Sequence, residues 1–458
     1  MKVSAVILAL AAPPLVIASQ QAFSTSQNAF TTFTNAAFPG YAVRIKETTG
    51  FCDSSVKSYC GYIDFQARHL FFYYFESRGT PAEDDVMLWL NGGPGGSSAL
   101  GLFMELGPCT VVSENQTEFN PYSWTTNANM IFLEQPVGVG FSYAEYGQSI
   151  DTTEAAAKDV AAFLSIFFEA MGLQGRPFHI AGESFGGRYV PLFASEVYDQ
   201  NKRMEKPINL VSAIIGKFRL TATVELTLFK YCSCFTSYYD IQCTITRPNV
   251  PPIQSIGFTL LPRCQNALQK HCRDTFDLID CEAAVSFCGV FGTLFDETGR
   301  NAYDMRTKCV GEVRDTLCYP ITKEIAEYLN SPATREILGV PPAPSFPNIT
   351  MANFTVNQAF AASGDIMRSS TAHIAALLDR DVRVLLFAGT TDVACNYIGV
   401  ERTALKLQWH GQTEFAAQPL RALVLDGVAA GDFREFGGLT FASVWDAGHM
   451  VRAFFFDF

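Results

Sequence analysis

Phe178-His-Ile-Ala-Gly182-Glu-Ser184-Phe-Gly186 is the stretch that decides the fold of this chain. Phe178 to Ala181 is a short apolar run that reads as a buried strand, and the residues after Gly186 read as helix. Between them stands Gly-x-Ser-x-Gly, in the strand–turn–helix context of a nucleophile elbow. The turn is too sharp for side chains near the serine, which is why glycines flank it. It lifts the Ser184 hydroxyl out at the end of a sheet, where a base can reach it. A glycine-rich turn without chemistry would look alike in isolation, so the partners must decide.

A serine nucleophile needs a base, and the base needs an orienting acid. On this scaffold they follow in chain order as Ser, Asp or Glu, then His. Of the six histidines only the late ones fit that order. Asp392 closes Val382-Arg-Val-Leu-Leu-Phe-Ala-Gly389-Thr-Thr-Asp392, a buried strand breaking into a loop. His410 follows it in the polar stretch Gln408-Trp-His-Gly-Gln412, with no strand before it. His449 lies in Ala447-Gly-His-Met450, directly after the strand-like Leu439 to Trp445. Parallel sheets present their chemistry at strand ends, so His449 is the expected base. His410 is expected at the surface, and the other histidines are expected to be structural.

An oxyanion hole completes such a site. Val86-Met-Leu-Trp-Leu90 reads as another buried strand and runs into Asn91-Gly-Gly-Pro-Gly-Gly-Ser97. A loop this rich in glycine lets backbone N–H groups come close to a substrate. Gly93 supplies one expected donor, and Phe185, the residue after the nucleophile, supplies the other. A phosphate loop is the competing reading, but no Gly-Lys-Ser/Thr ending follows.

These residues resemble the serine carboxypeptidase family, nearest the fungal vacuolar carboxypeptidase Y type. The resemblance rests on Trp89-Leu-Asn-Gly-Gly-Pro-Gly95, Phe132-Leu-Glu-Gln-Pro-Val-Gly-Val-Gly-Phe-Ser-Tyr143, His179-Ile-Ala-Gly-Glu-Ser184, Asp392-Val-Ala-Cys-Asn396 and Gly448-His-Met450. It runs from about Tyr41 to Val451. It implies an α/β-hydrolase fold, with a mostly parallel central sheet flanked by helices, and removal of single residues from peptide C-termini. It also implies a site for the substrate carboxylate built from Asn91, Gly92, Glu183 and a second glutamate, Glu105. Two carboxyl groups in contact cannot both ionise cheaply, so they share a proton. Such a pair can donate to a carboxylate in acid, which favours acidic pH. By the same resemblance Cys264 pairs with Cys288, Cys272 with Cys281 and Cys309 with Cys318, while Cys395 is a thiol outside the bridges. No cofactor is implied.

Composition agrees with an enzyme. In 458 residues, 48% hydrophobic content supplies an ample core, either for several domains or for one elaborated α/β domain. A net charge of −12 argues against nucleic acid or an anionic membrane surface as partner. Peptides with a free C-terminus are the expected partners. Lys2 followed by the apolar Val3 to Ala18 reads as a signal peptide over residues 1–18, too short for a membrane anchor. Sequons at Asn115, Asn348 and Asn353 fit glycosylation in a secretory pathway, ending in a vacuolar, lysosome-like lumen or in secretion. Thirteen cysteines suit that compartment and leave at least one out of any bridge. They lack paired C-x-x-C spacing, so no metal site is expected.

The rest of the chain sets the organisation. Residues 19–40 are polar and small and read as a flexible or pro-like segment before a domain over 41–458. Asp151-Thr-Thr-Glu154 resembles a capping box, and Val160, Phe163, Leu164, Phe167, Phe168 and Met171 then mark one helix face. A cysteine-rich stretch at about 231–330 interrupts the strand–helix alternation and reads as an inserted cap. Three departures from the family stand out. Residues 217–230 do not follow its pattern, Gly96 stands where many members carry Cys, and residues 346–354 lack the matching Cys. After His449 the pattern also changes, to Val451-Arg-Ala-Phe-Phe-Phe-Asp-Phe458. The expectation is an active exopeptidase whose His449 is loosely held. The alternatives are an acyltransferase or esterase on the same triad, or a catalytically impaired member.

Overall fold

A parallel strand covered on both faces must be apolar along its length rather than at alternate positions. The runs at Val86–Leu90, Phe178–Ala181 and Val384–Ala388 meet that demand, and all three lie in the middle of one sheet. The structure is a computed structural model that describes residues 30–48, 50–218, 260, 262–289, 295 and 297–450. The expected signal peptide at 1–18, most of the unusual 217–230 stretch, Cys232, Cys234, Cys243 and residues 451–458 lie outside the described residues.

The chain begins as an antiparallel meander of β1 (Thr31–Phe33), β2 (Tyr41–Glu47), β3 (Ser58–Phe65) and β4 (Arg68–Phe75). Next come β5 (Asp85–Leu90), a separate hairpin of β6 (Cys109–Ser113) and β7 (Gln116–Phe119), then β8 (Ala128–Leu133) and β9 (Tyr143–Ala144). Helix α1 (Thr153–Ala170), β10 (Pro177–Ser184), α2 (Gly186–Asn201) and β11 (Asn209–Phe218) follow. A second small hairpin, β12 (Arg300–Asn301) and β13 (Asp304–Lys308), precedes α3 (Thr371–Leu378) and β14 (Arg383–Gly389). The last strands are β15 (Arg421–Leu425), β16 (Val428–Phe436) and β17 (Leu439–Val444). The main sheet has 13 strands in the order β1-β2-β3-β4-β8-β5-β10-β11-β14-β17-β16-β15, with β9 beside β4. From β8 to β17 along that order every pairing is parallel. This is the α/β-hydrolase architecture.

Successive side chains of a strand point to opposite faces, and here they feed two cores. Leu88, Leu90, Ile131, Leu133, Ile180 and Leu386 pack under α1, α2 and α3. Trp89, Met130, Phe132 and Ala181 pack on the other face against Phe103, Ile325 and Leu329. Helix α1 is buried nearly all round, not on one stripe, because α2 and the edge of the meander cover its remaining sides. Its expected capping box does not form. Thr152 is the N-cap and makes no side-chain cap bond. The Thr153 hydroxyl instead donates to Asp365 Oδ2 at 2.6 Å, and Glu154 pairs with Arg188 of α2 at 2.8 Å. That tetrad joins α1 to its neighbours rather than capping it.

The three bridges implied by resemblance are present: Cys264–Cys288, Cys272–Cys281 and Cys309–Cys318. A fourth, Cys52–Cys109, ties the turn before β3 to β6. Cys60 is a second buried thiol beside Cys395. Its Sγ donates to Leu338 O, and burial pushes its pKa up to about 12, which makes it inert. The sheet also starts earlier than expected: Phe33 of β1 pairs with Val43, so residues 31–33 belong to the domain and not to a flexible leader.

Gly96 and Ala352 form an antiparallel bridge. Ser97 N donates to Met351 O at 3.0 Å and Asn353 N to Gly95 O at 2.8 Å. This makes Gly96–Ala352 a non-hydrogen-bonded pair, in which Cα atoms approach to about 4.5 Å. That spacing lies inside disulfide range. Gly96→Cys with Ala352→Cys is therefore expected to close spontaneously and to raise the unfolding midpoint, by up to about 4 kcal/mol of added stability. A Cβ at Gly96 would stand 3.1 Å from Gly92 O, which trims that gain. Oxidised and reduced double variants melting at the same temperature would contradict the pairing.

Candidate active site

Ser184 is the last residue of β10, and α2 begins two residues later. Its φ of 58° lies in the left-handed region that residues with a side chain avoid. This is the strained elbow anticipated from the glycines. A Cβ at Gly182 would stand 2.7 Å from Leu90 O on β5, so the close strand approach needs glycine there. At Gly92 the demand is greater, because a Cβ would lie 2.3 Å from Phe185 N and 2.7 Å from Glu183 O. The glycine-rich loop thus presses directly on the elbow, which brings Gly92 beside the Phe185 amide.

Asp392 follows β14 and His449 follows β17, the next strand in the sheet. Both are 2% exposed, and His449 Nδ1 bonds Asp392 Oδ2 at 2.7 Å. The other oxygen, Oδ1, accepts from Cys395 N at 3.0 Å. With Nδ1–H held by the carboxylate, Nε2 is left as the basic nitrogen. Donor atoms of Asp392, Cys395 and His449 lie within 4.8 Å of one another. These are metal-ligand types, but the acid and the imidazole are already bonded to each other, and the group reads as a dyad with a thiol beside it.

The loose histidine expected from the sequence is not what the structure shows. Thr391 N donates to Ala447 O at 2.9 Å and Asp446 N to Thr390 Oγ1 at 3.1 Å, so the two catalytic loops are tied together. The β12–β13 hairpin then clamps both. Met305 N donates to Thr391 O, Val393 N to Ala302 O and His449 N to Tyr303 O. Asp304 accepts from Arg306 and from Thr391 Oγ1, and Arg306 Nη1 donates to Asp446 O. Burial works against the charge on Asp304, yet the bonds from the Arg306 side chain and backbone hold its pKa below the usual carboxylate range. Arg306→Ala is therefore expected to lower kcat about tenfold through misplacement of His449. Arg306 is 42% exposed, so the melting temperature should move little. Unchanged kcat would show that the hairpin backbone suffices.

The glutamates expected to read a carboxylate are both buried, Glu183 at 2% and Glu105 at 3% exposure. Asn91 Nδ2 donates to Glu183 Oε1 at 2.7 Å. Its Oδ1 accepts from Trp89 Nε1 at 2.8 Å and from Gly101 N at 3.0 Å, which fixes the amide's orientation. Gly101 opens the short helical turn that ends at Glu105, so Asn91 organises both glutamates. Tyr319 was missed by sequence reasoning. Burial first, then Asp392, Asp304, Glu105 and Glu183, push its phenol far above the ordinary range and keep it a neutral O–H among carboxylates. Tyr303, also missed, has its ring 5.0 Å from that of His449 and 6.2 Å from that of Tyr319. Their only sequence signal was position in the inserted segment next to the Cys309–Cys318 loop.

The other histidines lie apart. His410 is exposed and bonds Asp379 Oδ1 at 2.7 Å. His179 bonds Ser212 Oγ at 2.7 Å and Asp85 Oδ2 at 2.9 Å near the starts of β11, β10 and β5, bracing the opposite edge of the sheet.

A family model described as serine carboxypeptidase matches residues 49–454. The chain is 37% identical over 426 residues to carboxypeptidase Y of Candida albicans, covering 91% of this chain and 74% of that protein. It is 38% identical over 402 residues to carboxypeptidase Y homolog A of Sclerotinia sclerotiorum, covering 86% and 70%. Among solved structures, Kex1Δp, a prohormone-processing carboxypeptidase from Saccharomyces cerevisiae, superposes with a TM-score of 0.73 at 20% identity, over 94% of this chain and 93% of that one.

Proposed function

The chain belongs to the serine carboxypeptidase family, and we propose that Ser184, His449 and Asp392 carry its reaction while Asn91, Gly92, Glu183 and Glu105 select substrates ending in a free carboxylate. The observation that carries this reading is the buried Asp392–His449 pair, which follows β14 and β17 at the same end of the parallel strands as the strained Ser184 elbow that ends β10. Ser184 Oγ attacks the last peptide carbonyl as His449 Nε2 takes its proton. The amides of Gly93 and Phe185 hold the tetrahedral oxyanion. His449 then returns the proton to the departing amino acid. Water attacks the acyl-enzyme by the same proton route and frees Ser184. Asp392 orients the imidazole and balances its charge. Cys395 is a buried thiol next to Asp392, and a mercurial is expected to slow the enzyme by reacting there.

An acyltransferase would have no need of two buried glutamates around Asn91, so hydrolysis of peptides with free C-termini is preferred. The direct test combines labelling by an organophosphonate serine probe with amino-acid analysis of a digested peptide. Label at Ser184 and stepwise release of C-terminal residues are expected. Failure of both would remove the assignment.

Four disulfides among the described residues suit an oxidising lumen, and no helix there is long and apolar enough to cross a membrane. We place the protein in the secretory pathway, with a vacuolar lumen or secretion as its end. The three sequons differ in their environment. Asn115 lies exposed in the β6–β7 turn. Exposed Asn348 uses its oxygen to accept from Arg335 at 3.2 Å. Asn353 Nδ2, the atom a glycan would take, donates to Gly138 O at 2.7 Å while its oxygen caps a helix. Glycopeptide mass spectrometry after expression in a secretory host is expected to find glycans at Asn115 and Asn348 and none at Asn353. A glycan at Asn353 would contradict this.

A further inference from the structure

The run Phe132-Leu-Glu-Gln-Pro-Val-Gly-Val-Gly-Phe-Ser-Tyr143 is the one motif of the resemblance that the proposed mechanism leaves idle. At its centre Glu134 follows β8 and is fully buried. Its Oε1 accepts from Ser97 Oγ at 2.7 Å and its Oε2 from Ser98 N at 3.2 Å. Ser98 Oγ donates to Leu133 O at 2.7 Å and accepts from Asn91 N at 3.2 Å. Gly96 N donates to Gly92 O at 3.0 Å and closes the turn between these anchors. The glycine-rich loop is thus bonded at one end to Glu134, and through Ser98 at the other end to its neighbour Leu133. Gly140 covers the carboxyl from behind, since a Cβ there would lie 2.4 Å from the carboxyl carbon.

We infer that Glu134 is a positioning residue for the oxyanion loop, its carboxyl group holding Ser97 and Ser98 so that Asn91, Gly92 and Gly93 stand opposite the Phe185 amide. This rests on the assignment of Gly93 and Phe185 as oxyanion donors. No bonded guanidinium or ammonium balances Glu134 among the described residues. Tyr73 on β4 is the titratable group that faces it, and the loop and the Gly140 turn present only hydroxyls and amides. Burial outweighs the bonds from Ser97 and Ser98 and pushes the Glu134 pKa up to about 7. A carboxyl group raised in this way weakens the fold as pH climbs from its unfolded value, about 4.3, to its folded one. A buried carboxyl group kept against that cost points to a task that a well-packed apolar side chain would not perform.

The test uses Glu134→Gln and Ser97→Ala in the full chain, with a blocked ester substrate so that Glu105 and Glu183 play no part. Active sites are counted by endpoint labelling with an organophosphonate. The amide of Glu134→Gln keeps one acceptor but turns an NH2 group toward a donor. Its kcat per labelled site is expected to fall about 10–100-fold with KM nearly constant, because oxyanion contacts form in the transition state. Ser97→Ala, which removes the bond to Glu134 and the one its hydroxyl accepts from Ala99 N, should lose about 3–10-fold in kcat. The double variant should be no worse than Glu134→Gln alone. Unchanged kcat per site in both variants, or a loss carried by KM or by the labelled fraction alone, overturns the inference. A wild-type protein that takes no label at Ser184 would instead overturn the assignment of the site.

Discussion

Ser184→Ala is expected to lower kcat on a peptide by on the order of 10⁴–10⁶-fold while leaving the fold and peptide binding in place. The size follows from how the site is built. Serine is the sole route to the acyl-enzyme, and the Asp392–His449 pair has no other task once its proton acceptor role is lost. What remains is the glycine-rich loop and the carboxylate site, which can still bind a peptide and polarise its carbonyl for direct attack by water. The variant is expected to keep its stability, since alanine relieves nothing at φ 58° and leaves the backbone of the elbow under the same strain. Single-turnover measurements and thermal unfolding on the same preparation check both halves. Residual activity within tenfold of the parent would mean that another nucleophile serves. A large fall in melting temperature would mean that the hydroxyl holds the elbow together.

Much of this site is readable in the sequence because each part sits on a local signal. Ser184 lies between an apolar run and a helix, Asp392 and His449 after runs of the same kind, and Asn91 at the head of a glycine cluster. Burial on both faces makes those strands conspicuous. The clamp was not readable. Asp304 and Arg306 lie in a short polar hairpin, and their bonds reach Thr391 and Asp446, residues far along the chain. No periodicity marks such contacts. The same holds for β1, three residues in a polar stretch that become a strand only because β2 offers an edge. In Asp151–Glu154, local capping chemistry lost to tertiary partners, since Asp365 and Arg188 offer the hydroxyl and the carboxylate stronger bonds than a helix end does. The Cys52–Cys109 bridge and the Cys60 thiol likewise depend on which turns the folded meander brings together.

A peptide with a free C-terminus is expected to be cleaved about 10³–10⁴-fold more efficiently than its C-terminal amide, and that preference is expected to fade as pH rises. Asn91 holds Glu183 at 2.7 Å and, through Gly101, anchors the turn that carries Glu105, and both glutamates are buried. In the proposed site they hold one proton between them and donate a hydrogen bond to the substrate carboxylate. Once that proton is lost, the proposed pair would repel the substrate carboxylate. The expected sign follows from this: peptide hydrolysis should fall with rising pH. Hydrolysis of a blocked ester, which needs His449 neutral but brings no carboxylate, persists or rises over the same range. Glu183→Gln separates the two effects. An amide can donate at any pH, so this variant should lower peptide kcat/KM in acid, bring the peptide profile toward the ester profile and leave the ester unchanged. Parallel profiles for peptide and ester in the parent enzyme would rule out the proton-sharing pair. An Asn91→Ala variant that kept full discrimination would move the carboxylate site elsewhere, because that amide bonds Glu183 and the turn that carries Glu105.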